Sequence, residues 1–273
     1  MRNEDKSMFV NTPSGRIACK TFGDNKSKPV VFIHGFPFDK SMWESQGELL
    51  AKEHFVVTFD NPGHGESEVG SGQYLVEFIV DDLFAVMDHL GLKKAVICGL
   101  SIGGYTAMRA IEREPERFAG LILCNTKSAP DTNAAKLNRA NQIRTIRSGR
   151  KKQFVEDNAR ALLAPESFER NRDAVNKIIA TMNSTDEKAL IGTLIALAAR
   201  MDLTESLGKI SVPTLIITGE KDKVATQADA ELMHSKIRNS KLAIIRGAGH
   251  LSNLENSAEF NSALVSFLKE NNF

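Results

Sequence analysis

Ala95-Val96-Ile97-Cys98-Gly99-Leu100-Ser101-Ile102-Gly103-Gly104 places a serine where an apolar run, read as a buried strand over 95–98, passes into a helix from Ile102 to about Glu114. A turn this tight crowds the backbone on either side of the serine, and Gly99 and Gly103 lack the Cβ atoms that would collide there. The helix then points its first free N–H groups, Ile102 N–H foremost, at the space above Ser101, where negative charge is favoured. Ser101 is thus a candidate nucleophile. A serine hydroxyl is a poor one at neutral pH, so it needs a base to take its proton and donors to hold an oxyanion.

Upstream, Val30–Ile33 reads as another buried strand and ends in His34-Gly35-Phe36-Pro37. Gly35 lets the backbone approach a ligand closely, Phe36 N–H is the candidate second oxyanion donor, and His34 reads as a residue that orients backbone rather than as the base. After the strand Thr214–Thr218, the loop Gly219-Glu220-Lys221-Asp222-Lys223 offers Asp222 as the carboxylate that orients a histidine, with Glu220 and Asp60 competing because each also follows an apolar strand. The run 121–124 ends in Asn125-Thr126 and supplies no acid. Lys241–Ile245 is followed by Arg246-Gly247-Ala248-Gly249-His250, whose glycines let the chain carry a histidine back over the strand ends, so His250 is the candidate base. His54, His64, His89 and His234 read as surface or packing residues.

Further strands are expected at Arg16–Thr21 and Phe55–Phe59, and helices at Met42–Lys52 and at 75–90, where Leu75, Phe78, Ile79, Leu83, Val86, Met87 and Leu90 recur at helical spacing until Gly91. Strands apolar on both faces and alternating with helices imply a doubly wound, mostly parallel α/β sheet whose ligand crevice lies beyond the carboxyl ends of the strands. Phe36, Ser101, Asp222 and His250 all follow strand ends. From 126 to 209 the periodicity is helical, for example Gln153–Leu163, Arg170–Met182 and Lys188–Met201. The expected organisation is therefore a core of 1–125 and 210–273 with a helical cap, 126–209, inserted over the strand ends to exclude water. Leu162, Leu163, Met182, Leu194 and Leu197 read as packing residues of that cap, with pocket wall as the alternative. Lys136, Arg139, Arg144, Arg147, Arg150, Lys151 and Lys152, with no acid from Thr132 to Val155, read as a solvated face; the sharper alternative is a basic field that steers an anionic substrate and fades with salt.

The 273 residues, 42% of them apolar, suffice for one large core with room for that insert. Basic and acidic residues nearly cancel, 35 against 34, which gives no reason to expect nucleic acid or an anionic membrane as partner. The start, Met1-Arg2-Asn3-Glu4-Asp5-Lys6, is of mixed charge without a secretion signal's apolar stretch, so a cytoplasmic protein is expected. Cys19, Cys98 and Cys124 are too few and too scattered for a zinc site or a disulfide framework.

The residues His34-Gly35-Phe36-Pro37, Asp60-Asn61-Pro62-Gly63-His64-Gly65-Glu66-Ser67, Gly99–Gly104, Gly219–Asp222 and Gly247–His250 resemble the α/β-hydrolase superfamily, and within it the small bacterial serine esterases, lactonases and cofactor-free haloperoxidases. The resemblance covers most of the chain and implies an eight-stranded sheet, a nucleophile, acid and base in the order Ser101, Asp222, His250, and no metal or organic cofactor. It assigns 60–67 to a structural turn. Cys98-Gly99-Leu100-Ser101 and Leu123-Cys124-Asn125-Thr126 resemble the 3-oxoadipate enol-lactonases, although these positions report strand packing and loop shape more than substrate. Haloalkane dehalogenases and epoxide hydrolases need a carboxylate where Ser101 stands. Two departures, Ala225-Thr226-Gln227 in place of a proline-containing stretch and Lys221 and Lys223 flanking Asp222, fall on the pocket rim. The expected activity is cleavage of a small ester or lactone through an acyl-enzyme on Ser101, with a perhydrolase or haloperoxidase on the same residues, or a non-turnover binder of a small ligand, as the alternatives.

Overall fold

The computed structural model describes residues 6–273, so the reading of the N-terminal residues as lacking a leader falls, except for Lys6, outside the described residues. The strands are β1 (Lys6–Thr12), β2 (Gly15–Phe22), β3 (Lys28–Ile33), β4 (His54–Phe59), β5 (Ala95–Leu100), β6 (Phe118–Cys124), β7 (Thr214–Gly219) and β8 (Ser240–Ile245). They form one sheet in the order β1-β2-β4-β3-β5-β6-β7-β8. β1/β2 and β2/β4 pair antiparallel and the remaining neighbours pair parallel. Every residue of β4, β5 and β7 is buried, as strands covered on both faces require. This is the mostly parallel eight-stranded sheet expected.

Between the early strands lie α1 (Glu44–Leu50), α2 (Val76–His89) and α3 (Ile102–Arg113). Between β6 and β7 the described chain is helical: α4 (Asn133–Arg147), α5 (Lys151–Leu162), α6 (Ser167–Arg170), α7 (Arg172–Ser184) and α8 (Glu187–Ala199). The chain closes with α9 (Gln227–Lys236), α10 (Ser252–Glu255) and α11 (Ser257–Glu270). None of the described helices is long and apolar enough to cross a membrane.

Several local expectations are corrected. The stretch 6–22 is a hairpin whose register runs from Lys6↔Thr21 to Thr12↔Gly15, so a strand precedes the one expected at 16–21. The helix expected over 42–52 is a 3₁₀ turn, Lys40–Trp43, followed by the shorter α1. Leu75, which caps α2, and Phe78 within it are exposed, and the buried stripe runs through Val76, Ile79, Val80, Leu83, Val86 and Met87. Gly99 and Leu100 belong to β5, which brings the strand to the residue before Ser101.

The chain leaves β3 for β4 on one side and returns to β5 on the other, so the connections diverge between β3 and β5. A crevice opens at such a switch point beyond the strands' carboxyl ends. The residues that follow those two ends are His34-Gly35-Phe36 and Ser101.

Candidate active site

Ser101 adopts φ 56° and ψ −116°, a backbone geometry that costs a residue with a Cβ about 1–3 kcal/mol and must be held by its surroundings. Its amide donates to the Cys124 carbonyl at 2.9 Å, and its own carbonyl accepts from Thr126 Oγ1 at 2.7 Å. A Cβ on Gly99 would strike the Gly103 backbone, and one on Gly103 would lie against the Ile33 carbonyl and 2.8 Å from the His34 carbonyl oxygen. The α3 N-terminus is thereby pressed onto the end of β3. A Cβ on Gly35 would sit 3.4 Å from that of Ser101, which places the Phe36 loop directly beside the serine. Ile102 is the first residue of α3, where helical N–H groups have no carbonyl in their own ladder.

His34 is buried with both ring nitrogens engaged: its Nε2 accepts from the Asn61 amide at 2.8 Å and its Nδ1 donates to the Gly35 carbonyl at 2.9 Å. Burial pushes its pKa down to about 4, so the ring is neutral and both its nitrogens are spent on backbone.

Of the three acids weighed, Asp222 alone reaches His250. Its Oδ2 accepts from His250 Nδ1 at 2.8 Å, and its Oδ1 accepts from the Val224 and Ala225 amides at 2.8 and 3.0 Å. Burial works to raise the Asp222 pKa, but the histidine, Asn125 and those amides outweigh it and hold the carboxyl below the usual carboxylate range. Glu220 accepts from the Gly247 amide, and Asp60 is buried against Lys40 Nζ at 2.7 Å and the amides of Lys40 and Glu66, in keeping with a structural turn.

His250 is buried, and its Nε2 has no hydrogen-bond partner among the described residues. Ser101, His250 and Phe36 line one cavity of about 290 Å³. Its far wall comes from the helices between β6 and β7: Asn138, Arg139 and Gln142 from α4, Asn158 and Leu162 from α5, and Leu197 from α8. Leu162 and Leu197 thus form pocket wall, the alternative reading of these leucines, whereas Leu163, Met182 and Leu194 are buried core.

Three contributors were not singled out in the sequence. Asn125, at φ 46°, donates Nδ2 to Asp222 Oδ2 at 2.9 Å and to the Gly249 carbonyl at 3.1 Å, while its Oδ1 accepts from Ser252 Oγ at 2.5 Å. Glu255 accepts from the amides of Gly249 and Leu251 on one oxygen and from Ala164 N and Ser167 Oγ on the other. Arg200 lines the cavity and donates to Asp131 at 2.9 Å. The signal for Asn125 was its place at a strand end beside the nucleophile; Glu255 and Arg200 carry no local one. The seven-residue basic segment also divides: Arg139 lines the cavity, while Lys136, Arg144, Arg147, Arg150 and Lys152 are exposed and Lys151 caps the carbonyls of Asn183 and Thr185.

A family model described as alpha/beta hydrolase fold matches residues 28–257. The chain belongs to that family. Within it, the chain is 29% identical over 256 residues to 3-oxoadipate enol-lactonase 2 of Acinetobacter baylyi, covering 92% of each. A thermophilic esterase from Thermogutta terrifontis, solved with malate bound, superposes with a TM-score of 0.92 at 32% identity, over 98% of this chain and all of that one. The enol-lactonase of Burkholderia xenovorans LB400 superposes with a TM-score of 0.89 at 26% identity, over 96% of this chain and all of that one. Family members of this kind thus span both ester and lactone substrates, and the hydrolase assignment follows from the family.

Proposed function

We propose that the protein hydrolyses a small carboxylic ester or lactone through an acyl-enzyme on Ser101, with His250 as base and Asp222 as its orienting acid. The observation that carries this reading is the 2.8 Å Asp222–His250 contact, which leaves Nε2 as the unpartnered edge of a ring that shares a cavity with Ser101. Nε2 takes the Ser101 proton as Oγ adds to the substrate carbonyl, and the Phe36 and Ile102 N–H groups hold the resulting oxyanion. Collapse breaks the acyl–oxygen bond, and the imidazolium returns its proton to the leaving oxygen; a lactone opens to an acyl-enzyme that keeps its own hydroxyl. Water, deprotonated by His250, then adds to the acyl carbonyl and releases the acid. The close packing that Gly35, Gly99 and Gly103 permit supports the assignment of both amides to the serine, and His34 holds the Phe36 loop through the Gly35 carbonyl and the Asn61 amide. Residues 126–209 act as the cover that shapes the pocket and keeps bulk water from the acyl-enzyme.

The test is labelling with a fluorophosphonate, read by peptide mass spectrometry, together with turnover of a panel of phenyl esters and γ-lactones. A single adduct on Ser101 and a Ser101→Ala loss on the order of a millionfold in turnover are expected. An adduct elsewhere, or parent-level turnover by Ser101→Ala, would overturn the assignment.

A further inference from the structure

In the 3₁₀ turn Lys40–Trp43, Met42 is pinned at its backbone: its amide donates to the Asp39 carbonyl at 3.2 Å and its carbonyl accepts from Asn253 Nδ2 at 3.0 Å. Its thioether is thereby held against the loop that follows β3, where Sδ accepts from the Gly35 amide at 3.4 Å. That contact bears on the geometry beside the nucleophile. Gly35 precedes Phe36, and a Cβ on it would sit 3.4 Å from that of Ser101. A thioether is a weak acceptor, yet losing it would leave the N–H of a buried residue unpaired. Met42 also lines a second cavity, of about 150 Å³, whose lining includes none of Ser101, Phe36 and His250. Phe38, Ile178 and Leu254 give it an apolar lining, and the exposed Ser41 and Lys177 mark its mouth. Its volume holds several molecules of the size of water, about 30 Å³ each. A small neutral oxidant therefore reaches the Met42 side chain without passing through the catalytic cavity. Met87, Met108, Met182 and Met233 have no such approach: each is 2% exposed or less, and none lines this cavity or the one over Ser101.

We propose that Met42 is a modification site: a peroxide oxidises its thioether to the sulfoxide through this second cavity, and the change lowers turnover by shifting the loop that carries the Phe36 N–H. The effect on turnover rests on the ester-hydrolase reading; the chemistry at sulfur does not. A sulfur lone pair attacks one peroxide oxygen, and the O–O bond breaks as the S–O bond forms. The departing hydroxide takes the remaining proton from the transferred oxygen and leaves as water, so sulfur is oxidised by two electrons and the peroxide reduced by two. The sulfoxide sulfur is electron-poor and carries an extra oxygen, so it ceases to accept from Gly35 and crowds a packed site. The Gly35 amide must then take another partner, and the loop moves with it.

The test treats the wild-type protein, Met42→Leu and Met201→Leu with a graded series of hydrogen peroxide, and reads oxygen uptake at each methionine by peptide mass spectrometry alongside kcat on a phenyl ester. Met201, 53% exposed, serves as the methionine that peroxide reaches directly from solvent. Met42 should take up oxygen ahead of Met87, Met108, Met182 and Met233. Wild type and Met201→Leu should lose kcat in step with sulfoxide at Met42, levelling about tenfold below the start, short of the hundredfold or more that follows outright loss of an oxyanion donor. Met42→Leu should hold its own untreated kcat, whatever its level; it keeps Cys19, Cys98 and Cys124, so it also separates the effect from thiol oxidation. Near-ultraviolet circular dichroism should stay native, and the Gly35 and Phe36 amide resonances should shift. Oxidation of Met42 no faster than that of the four buried methionines, equal losses in Met42→Leu, or loss of the native dichroism in step with kcat would each overturn the inference. If Met42→Leu does not fold, the wild-type time course decides, by whether kcat follows Met42 or another residue. If no ester is turned over, the ester-hydrolase reading fails separately, and the site is decided by uptake at Met42 and shifted Gly35 and Phe36 resonances: both together support it, and either one missing refutes it.

Discussion

Asn125 stands in a left-handed conformation at the end of β6, and its amide donates to the same Asp222 oxygen that accepts from His250. That donor draws charge from the carboxylate which would otherwise act wholly on the imidazole. Asn125→Ala should therefore lower kcat by about tenfold, the order of one hydrogen bond to a charged group. Asn125→Asp sets a second carboxylate beside Asp222 and should lower kcat further; steady-state kinetics of the three proteins are the measurement, and an unchanged kcat would reduce Asn125 to a loop support. Single residues were unevenly legible. Ser101 and its glycines announce themselves because the constraint is local, a Cβ-free turn within five positions. His250 and Asp222 follow from glycine-bearing loops after strands, though Glu220 and Asp60 could be set aside only by distances. Asn125 acts on a partner 97 positions away, and Arg200 on one 69 away, so neither pairing leaves a trace in neighbouring sequence.

Among the elements, the contact of α3 with the end of β3 rests on a missing side chain. Gly103→Ala would drive a Cβ into the Ile33 and His34 carbonyls, which are backbone and cannot rotate away. A loss of about 2–3 kcal/mol in unfolding free energy is expected, with activity falling further as the Phe36 loop is pushed off Ser101. Gly208→Ala serves as the control, since its Cβ would meet nothing nearer than the Lys236 carbonyl oxygen at 4.0 Å. Denaturant unfolding of both variants checks this, and equal losses would mean that the elbow tolerates a side chain. The buried strands were readable as continuous apolar runs, and the helical character of 126–209 as their absence. The α2 stripe was misplaced because that helix is apolar beyond its buried face, so that Leu75 and Phe78 match the period while pointing to solvent. The first strand was not separated from the second because a hairpin edge need not be apolar: only Val10 of β1 is fully buried.

At the scale of the whole molecule, the histidines under the β3 and β4 loops couple stability to pH. His34 and His64 are buried with ring centroids 5.4 Å apart, and burial pushes each pKa down to about 4, His34 adding to the effect on His64. In the unfolded chain both rings titrate near 6.5, so between about pH 6.5 and about 4 the unfolded state binds more protons and stability falls as pH falls. Above that window the rings contribute nothing, and below it the loss is complete, up to ~3 kcal/mol per ring. His64→Gln should flatten the decline of unfolding free energy between pH 6.5 and 4; Asp60 and Asp82, held above the usual carboxylate range by burial, act with the opposite sign, so the difference between parent and variant is the quantity to follow. An unchanged slope would remove His64 from the account. The loop that bears His250 has a different dependence. Its histidine amide is anchored to the Leu162 carbonyl at 2.7 Å, and Glu255 ties the same loop to Ala164 and Ser167, all in the helical insert. The proposed base is therefore moored to the roof as well as to the floor. Any exchange of that roof for another would have to re-seat the proposed base in the same step, since the Leu162 carbonyl and the Glu255 carboxylate hold the two together.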